Sequence, residues 1–239
     1  MLKLAAAVGV LLLIVPASAT AARRPPEPVA FWPPPVLAPE RLVAEAVRVD
    51  SRGGGEFDVG TGVGVGSHAV LTNAHLTTGR ATFVTRCNDA VLTVGRIERA
   101  AGGVDLAVVV TAGQDLVPIQ LATEDPVAGQ VVTMIGYPAG ERTVVPVRIE
   151  GTLRRPQQGT VLRFSPEPAP GQSGGPLVDD NGRLVAIAYA EDTAGGQGLA
   201  LPVSRIRAAL DQWQRDGVPV AATDRGDPGA IAPRTPACG

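Results

Sequence analysis

The chain has few of the residues from which metal, nucleic-acid or membrane sites are built. Of its 239 residues only two are histidine and two are cysteine, and these show none of the usual ligand spacings. The formal net charge is −2 and no dense basic run occurs, which argues against nucleic-acid binding. We therefore expect no metal, no cofactor and no nucleic-acid partner.

The one long apolar run lies at the N-terminus and predicts export. Lys3 gives a positive start, residues 4–15 form an apolar core, and small residues offer a cleavage site near Ala19 to Ala22. The core of about 12 residues is shorter than the ~20 that a membrane helix needs. Residues 1–22 are thus predicted to be a signal peptide, and the mature protein is expected to be secreted or to reside in the cell envelope or periplasm without a stable membrane anchor.

The rest of the chain divides by composition into three parts. Residues 23–39 are rich in proline, which predicts a stiff extended linker. Residues 214–239 are rich in Pro, Gly, Ala and Thr and are typical of a flexible tail. Residues 40–213 between them are enough for one sizeable core or two small ones.

Short apolar runs separated by turn residues recur through the central part. They predict twelve antiparallel strands, at residues 42–49, 59–65, 69–73, 81–85, 91–97, 106–110, 131–136, 143–151, 160–165, 176–178, 184–190 and 198–202. Two sets of six indicate an all-β fold of two six-stranded antiparallel β-barrels, at about 40–122 and 127–203. A C-terminal helix is predicted over residues 205–213, with Ser204 as its cap.

Three motifs carry the residue types of a nucleophilic catalyst. His75 ends the run Leu-Thr-Asn-Ala-His, Asp105 opens Asp-Leu-Ala-Val, and Ser173 lies in Pro-Gly-Gln-Ser-Gly-Gly-Pro-Leu. A serine hydroxyl needs a base to take its proton, and that base needs a third group to fix its tautomer. Because the first two residues lie in one predicted barrel and the serine in the other, they are expected to meet in the cleft between the barrels.

Competing interpretations exist for the three candidate catalytic residues. Ser173 could be an ordinary serine of a glycine-rich turn. The other histidine, His68, falls between two apolar runs and is predicted to be a turn residue. Asp89 and Asp115 are rival acids to Asp105, but neither is followed by Leu-Ala-Val.

Five motifs in this order resemble the trypsin-like serine proteases of the chymotrypsin fold, most closely the HtrA/Deg type. The other two are Gly-Thr-Gly-Val-Gly-Val at residues 60–65 and Gly-Leu-Ala-Leu-Pro at residues 198–202. The resemblance implies a serine endopeptidase that cleaves proteins or peptides through an acyl-enzyme. His75, Asp105 and Ser173 would form its triad, and the amides of Gly171 and Ser173 its oxyanion hole.

Two differences from the family pattern limit what can be inferred from the resemblance. Members activated by zymogen cleavage have an aspartate just before the serine, whereas this chain has Gln172. Activation by an ion pair with a new N-terminus is therefore not expected. The 26 residues after Trp213 leave no room for the peptide-binding PDZ domain of HtrA/Deg proteases, so the oligomeric state stays open.

The resemblance also suggests substrate-binding positions. The strand around residues 187–191 would pair with an extended substrate, with Ala188, Tyr189 and Ala190 as side-chain walls. Glu167 lies six residues before Ser173, near the base of the primary specificity pocket in trypsin-like enzymes. A carboxylate there would favour basic substrate side chains, although an exposed loop glutamate is the alternative.

The two cysteines and the catalytic activity itself leave alternatives open. Cys87 and Cys238 both lie in the exported part, where a disulfide between them is chemically allowed, but a tail cysteine could equally pair with another molecule.

The chain could also be a catalytically silent peptide-binding module on a protease scaffold. A glutamyl-endopeptidase-like enzyme would share the fold and chemistry and differ only in substrate preference.

Overall fold

Twelve strands form two closed six-stranded antiparallel barrels, as the sequence predicts. A computed structural model describes residues 46–53, 56–86, 89–113, 115–192 and 196–221. The first barrel has the strand order β1-β2-β3-β6-β5-β4. Its strands are β1 Ala46–Gly53, β2 Glu56–Gly66, β3 Ala69–Thr72, β4 Ala81–Thr85, β5 Val91–Arg99 and β6 Ala107–Ala112.

The second barrel has the order β10-β11-β12-β9-β8-β7 and ends in the helix α1. Its elements are β7 Val131–Gly136, β8 Thr143–Arg155, β9 Gly159–Ser165, β10 Pro176–Val178, β11 Leu184–Asp192, β12 Gln197–Pro202 and α1 Val203–Arg215. Within the part of the chain that the structure describes, no helix combines the length and apolar character needed to span a membrane.

Strand β2 shows how the Gly-Thr-Gly-Val-Gly-Val motif serves both barrels. Successive side chains of a strand point to opposite faces. Gly60 and Gly62 face the interior of the first barrel, where added Cβ atoms would collide with Leu76 and Val70. Thr61 and Val63 therefore point outward. This outward face packs into a second layer, which residues of both barrels and of α1 form together.

Helix α1 closes this layer with Ile206, Leu210 and Trp213, whereas its first residue, Val203, packs into the core of the second barrel. The predicted cap was wrong: Ser204 lies inside the helix, and Pro202 occupies the cap position without a side-chain bond. The carboxylate of Asp125 accepts hydrogen bonds from the Ser204 N–H at 2.8 Å and from its hydroxyl at 2.7 Å. Asp125, which is distant in sequence, thus accepts a backbone N–H of the first helical turn that has no partner within the helix.

The helix runs two residues beyond the predicted end, and the chain that follows it packs on the first barrel. Val218 and Val220, which the sequence assigns to the tail, are buried. The Ala221 N–H donates to the Val65 carbonyl at 2.6 Å. Residues 1–45 and 222–239, which include the predicted signal peptide, linker, most of the tail and Cys238, lie outside the described residues, as does Cys87.

Candidate active site

His75 opens a short 3-10 turn, His75–Thr77, which two residues separate from the end of strand β3. Leu76 anchors this turn in the first barrel, where it is 2% exposed. The Arg99 guanidinium fixes the other end, because it donates to the Thr77 hydroxyl at 3.0 Å and to the Thr77 carbonyl oxygen. The imidazole itself is 47% exposed. The backbone of the histidine is thus held firmly while its ring faces solvent.

Asp105 receives two hydrogen bonds from His75. One carboxylate oxygen lies 2.7 Å from His75 Nδ1, and the other accepts the His75 backbone N–H at 2.9 Å. Because an ionised carboxylate can only accept, Nδ1 carries the ring proton and Nε2 is left as an acceptor. The side chain of Asp105 is only 16% exposed. This is the arrangement that a histidine needs to act as a general base.

The loop that carries Asp105 is tied to both barrels. Asn73, which is fully buried, donates from its side chain to the Asp105 carbonyl at 3.0 Å. Gln158, in the turn between β8 and β9, accepts the Asp105 N–H at 2.9 Å and donates to the Gly103 carbonyl at 3.1 Å. Arg205 of α1 supports that turn by donating to the Gln157 carbonyl at 3.3 Å. The second barrel therefore helps to set the position of an aspartate in the first.

Ser173 lies half-buried in the tight loop before β10. Gly171 and Gly174 on either side have φ values of 98° and 81°, which favour glycine. A Cβ atom would overlap the Tyr137 carbonyl oxygen at Gly171 and the Thr61 carbonyl oxygen at Gly174. Among the described residues, the backbone N–H groups of Gly171 and Ser173 donate no hydrogen bond. Two amide donors near the serine are thus available.

The serine loop faces the part of the first barrel that carries His75. A Cβ on Gly174 would lie 2.6 Å from the hydroxyl of Thr72, which is three residues before the histidine. The Gly174 N–H donates to the Ala188 carbonyl at 2.7 Å, next to Tyr189. Tyr189 shares a cavity of about 490 Å³ with His75, Asp105 and Gln158. Within the described ranges no hydrogen bond joins Ser173 to His75 or to Asp105. Of the three candidate catalytic residues, the structure therefore pairs only His75 and Asp105 directly.

The predicted substrate-binding residues lie in different surroundings. Tyr189 lines the cavity beside His75, whereas the Ala188 side chain is fully buried in the core of the second barrel. The side chain of Ala190 lies outside the described residues. Glu167 is exposed on the loop before Ser173, and its carboxylate would lie 3.7 Å from a Cβ on Gly196.

The rival histidine and acids lie elsewhere. His68 is in the β2–β3 turn, as predicted, and its Nε2 lies 3.3 Å from the Asp115 carboxylate. Asp89 adopts a left-handed conformation with φ of 61° between β4 and β5. Among the described residues, no group of three or more His, Cys, Asp or Glu side chains is arranged to hold a metal ion.

Sequence reasoning missed several residues that hold this site, among them Gln158, Arg99 and Thr61, whose N–H donates to the Ser173 carbonyl at 2.7 Å. Thr61 lies within one of the quoted motifs, and its alternation with glycines signals an outward-facing polar residue. Gln158 and Arg99 act across the fold and have no local signal in the sequence.

Comparison with known proteins identifies the family of this chain. The model of the trypsin-like peptidase domain family matches residues 60–187. The serine protease Rv3671c of Mycobacterium tuberculosis is 28% identical over 143 residues, which cover 54% of this chain and 35% of the relative. A probable periplasmic DegP-like serine endoprotease of Marinomonas is 31% identical over 157 residues, covering 62% and 34%. This chain therefore spans about a third of the length of these curated relatives.

The solved structure of the active form of the Rv3671c protease has the same fold. It aligns with a TM-score of 0.65 and 24% identity, over 79% of this chain and 86% of that one. The family match lies within the two barrels and contains the His75, Asp105 and Ser173 motifs. The chain belongs to the trypsin-like peptidase domain family, and its relatives include serine proteases of the HtrA/Deg type.

Proposed function

We propose that this chain is an exported serine endopeptidase with the triad His75, Asp105 and Ser173. The pairing of His75 Nδ1 with the Asp105 carboxylate at 2.7 Å carries the proposal, because it leaves Nε2 to act as the base on a histidine that lines the cavity. The loop with Ser173 faces the same region and offers two amides that donate no bond to other described residues. The proposal thus places a nucleophile, a base and an electrophile stabiliser at one site between the barrels.

The reaction would proceed by acyl transfer. Ser173 Oγ attacks the scissile carbonyl carbon while His75 Nε2 takes its proton, and the Gly171 and Ser173 amides hold the resulting oxyanion. Collapse of this intermediate breaks the peptide bond, and His75 returns the proton to the leaving amine. Water then attacks the acyl-enzyme with His75 again as base, which releases the acid product and restores Ser173.

An extended substrate would bind along β11. Strand β10 pairs with β11 only as far as Ile187, so no described strand covers that side of β11 from Ala190 onward. Such an edge offers backbone groups to an added peptide strand. Tyr189, 9% exposed, would bound the groove beside His75.

Cleavage of a peptide library by the purified protein, read by mass spectrometry, tests this function. The expected products are peptides with new termini at internal bonds, formed in proportion to active enzyme. Binding of peptides without any cleavage would instead support the alternative of a silent peptide-binding module.

The amide of Gln158 provides a first testable detail. Gln158→Ala removes both bonds to the Asp105 loop and is expected to lower kcat about tenfold, the effect of roughly 1.4 kcal/mol, with KM nearly unchanged. Gln157→Asn is the matched control, since Asn tolerates the left-handed conformation found there at φ of 63°. Steady-state kinetics with equal losses in both variants would contradict a positioning role for Gln158.

Glu167 provides a test of primary specificity. If its carboxylate receives basic side chains, Glu167→Gln should lower kcat/KM about tenfold for substrates with arginine or lysine before the scissile bond and leave leucine substrates unchanged. Glu141→Gln controls for net charge, because Glu141 is also exposed. An equal rate for both substrate classes in the Glu167 variant would assign Glu167 to the solvated surface.

We also propose the organisation that the sequence predicts, with residues 1–22 as the signal peptide, 23–39 as a linker and a protease domain that begins at about residue 40, except that this domain extends past residue 213 to at least Ala221, because the residues after α1 pack on the first barrel. The name of the Marinomonas relative places that protein in the periplasm, which supports export of this one. Cys87 and Cys238 would both reach an oxidising compartment, where their pairing is chemically allowed.

A further inference from the structure

Thr61 of the first barrel binds the serine loop of the second barrel through both its backbone and its side chain. Its N–H donates to the Ser173 carbonyl at 2.7 Å, and its hydroxyl donates to the Gly171 carbonyl at 2.7 Å. The same hydroxyl oxygen accepts the Tyr137 N–H at 3.1 Å. Thr61 is fully buried, so water does not compete for these bonds.

These bonds fix the backbone groups that flank the oxyanion donors. The Gly171 and Ser173 carbonyls are held by Thr61, and the intervening Gln172 N–H donates to the Ala169 carbonyl at 3.0 Å. The Gly174 N–H is held by the Ala188 carbonyl at 2.7 Å. Of the backbone N–H groups from Gly171 to Gly175, those of Gly171 and Ser173 are the two that donate no hydrogen bond to a described residue. Because a peptide group is planar, fixing its neighbours restricts where these two donors point.

Both the backbone and the side chain of Thr61 are restrained. The Thr61 backbone carbonyl accepts the hydroxyl of Thr72 at 2.6 Å, and the branched Cβ of Thr61 restricts rotation about χ1. The position lies between Gly60 and Gly62, whose lack of side chains lets Val70 and Leu76 pack on the opposite face. The hydroxyl is thus carried on a rigid strand and not on a loop.

Gln172 holds the same loop from its other side. Its side-chain oxygen accepts the Ala169 N–H at 2.7 Å, and the side chain is packed against Gly136 at 4% exposure. No charge is needed for either contact. The loop is therefore braced by neutral hydrogen bonds at the position where zymogen-type members of the family carry an aspartate.

We infer that Thr61 is a positioning residue, which sets the Gly171 and Ser173 amides for oxyanion binding from the opposite barrel. This inference rests on the proposed function, because it assigns a role in the same reaction. On this inference, contacts between the two barrels form the oxyanion hole when the chain folds. Its formation then does not require a new N-terminus.

Kinetics of Thr61→Val and Thr61→Ser test the inference, with a fluorogenic peptide taken from the cleaved library. Valine keeps the shape and loses the hydroxyl, so kcat is expected to fall on the order of 10²-fold with KM within about twofold. A peptide aldehyde, which forms an oxyanion on Ser173, should bind weaker by about the same factor, whereas a cleaved product peptide should bind as before. Serine restores the hydroxyl and should keep kcat within about threefold of the wild type.

Thr111→Val is the matched control, because Thr111 is a buried threonine of the same barrel whose hydroxyl has no partner among the described residues. It is expected to keep kcat within about twofold of the wild type. If Thr61→Val does not fold, as judged by circular dichroism, Thr61→Ala is measured in its place with the same expected losses.

The possible failures can be told apart. A wild-type protein that cleaves no peptide contradicts the proposed function itself. A wild-type protein that cleaves, together with a folded Thr61→Val or Thr61→Ala variant of equal kcat and equal aldehyde affinity, overturns only the role of Thr61. Equal loss of aldehyde and product binding would also overturn it, since that pattern indicates general damage to the cleft.

Discussion

Replacing Ser173 by alanine should reduce kcat/KM for a peptide substrate by at least about 10⁴-fold. The proposed mechanism loses its nucleophile, whereas the folded state loses little, because the Ser173 hydroxyl makes no hydrogen bond to other described residues. The thermal midpoint should consequently stay within a few degrees of the wild-type value. Initial rates and a thermal unfolding curve on the same preparation measure both quantities.

Ser67→Ala provides the control for this substitution. Ser67 is exposed in the β2–β3 turn, and among the described residues only its backbone carbonyl makes a hydrogen bond, as an acceptor for the Leu116 N–H. Its removal should leave kcat/KM unchanged. A Ser173→Ala variant that kept a tenth or more of the wild-type rate would assign the nucleophile to another group.

Replacing Asp105 by asparagine should lower kcat on the order of 10⁴-fold without unfolding the protein. The carboxamide oxygen can still accept the His75 backbone N–H, but its NH₂ group donates towards Nδ1 and favours the ring tautomer with the proton on Nε2. Nε2 then cannot take the serine proton. Nitrogen-15 NMR of the imidazole would report the change of tautomer directly, beside the kinetics.

Asp115→Asn is a matched control, because its carboxylate pairs with the other histidine, His68. This exposed pair lies in and beside the β2–β3 turn, so its loss should leave kcat unchanged. If the Asp115 variant lost as much activity as the Asp105 variant, or if Asp105→Asn stayed within tenfold of the wild type, the orienting role of Asp105 would be contradicted.

The strands could be predicted from the sequence because each combines β-branched apolar residues with a clear turn signal. Both faces of β3 are buried, which explains its unbroken apolar run. The predicted ends were less accurate at β1, β2 and β8. The β1–β2 hairpin extends through the polar and glycine-rich residues around Arg52 and Asp58, and β8 continues through Arg154 and Arg155. Backbone pairing, and not burial, defines these ends, so apolar patterning does not mark them.

The residues of the proposed triad could be selected from the sequence because each lies in a short motif with its own chemistry, and the structure pairs two of them, His75 and Asp105, directly. The groups that hold the triad could not be identified in this way. Gln158 reaches the Asp105 loop from 53 positions away, and Asp125 reaches the first turn of α1 from 79 positions away. Such contacts depend on how the two barrels pack, which no local pattern encodes. Thr61 lies between these two cases, because its position on a strand could be predicted from the sequence but its hydrogen-bond partners could not.

The structure of the protein after reaction with a fluorophosphonate tests the proposed active site most directly. We expect phosphorus bonded to Ser173 Oγ, the phosphonyl oxygen about 2.7–3.1 Å from the Gly171 and Ser173 amides, and His75 Nε2 within hydrogen-bond reach of Ser173 Oγ. An unmodified Ser173 in fully folded protein, or an adduct on another residue with His75 remote from it, would contradict the proposed active site.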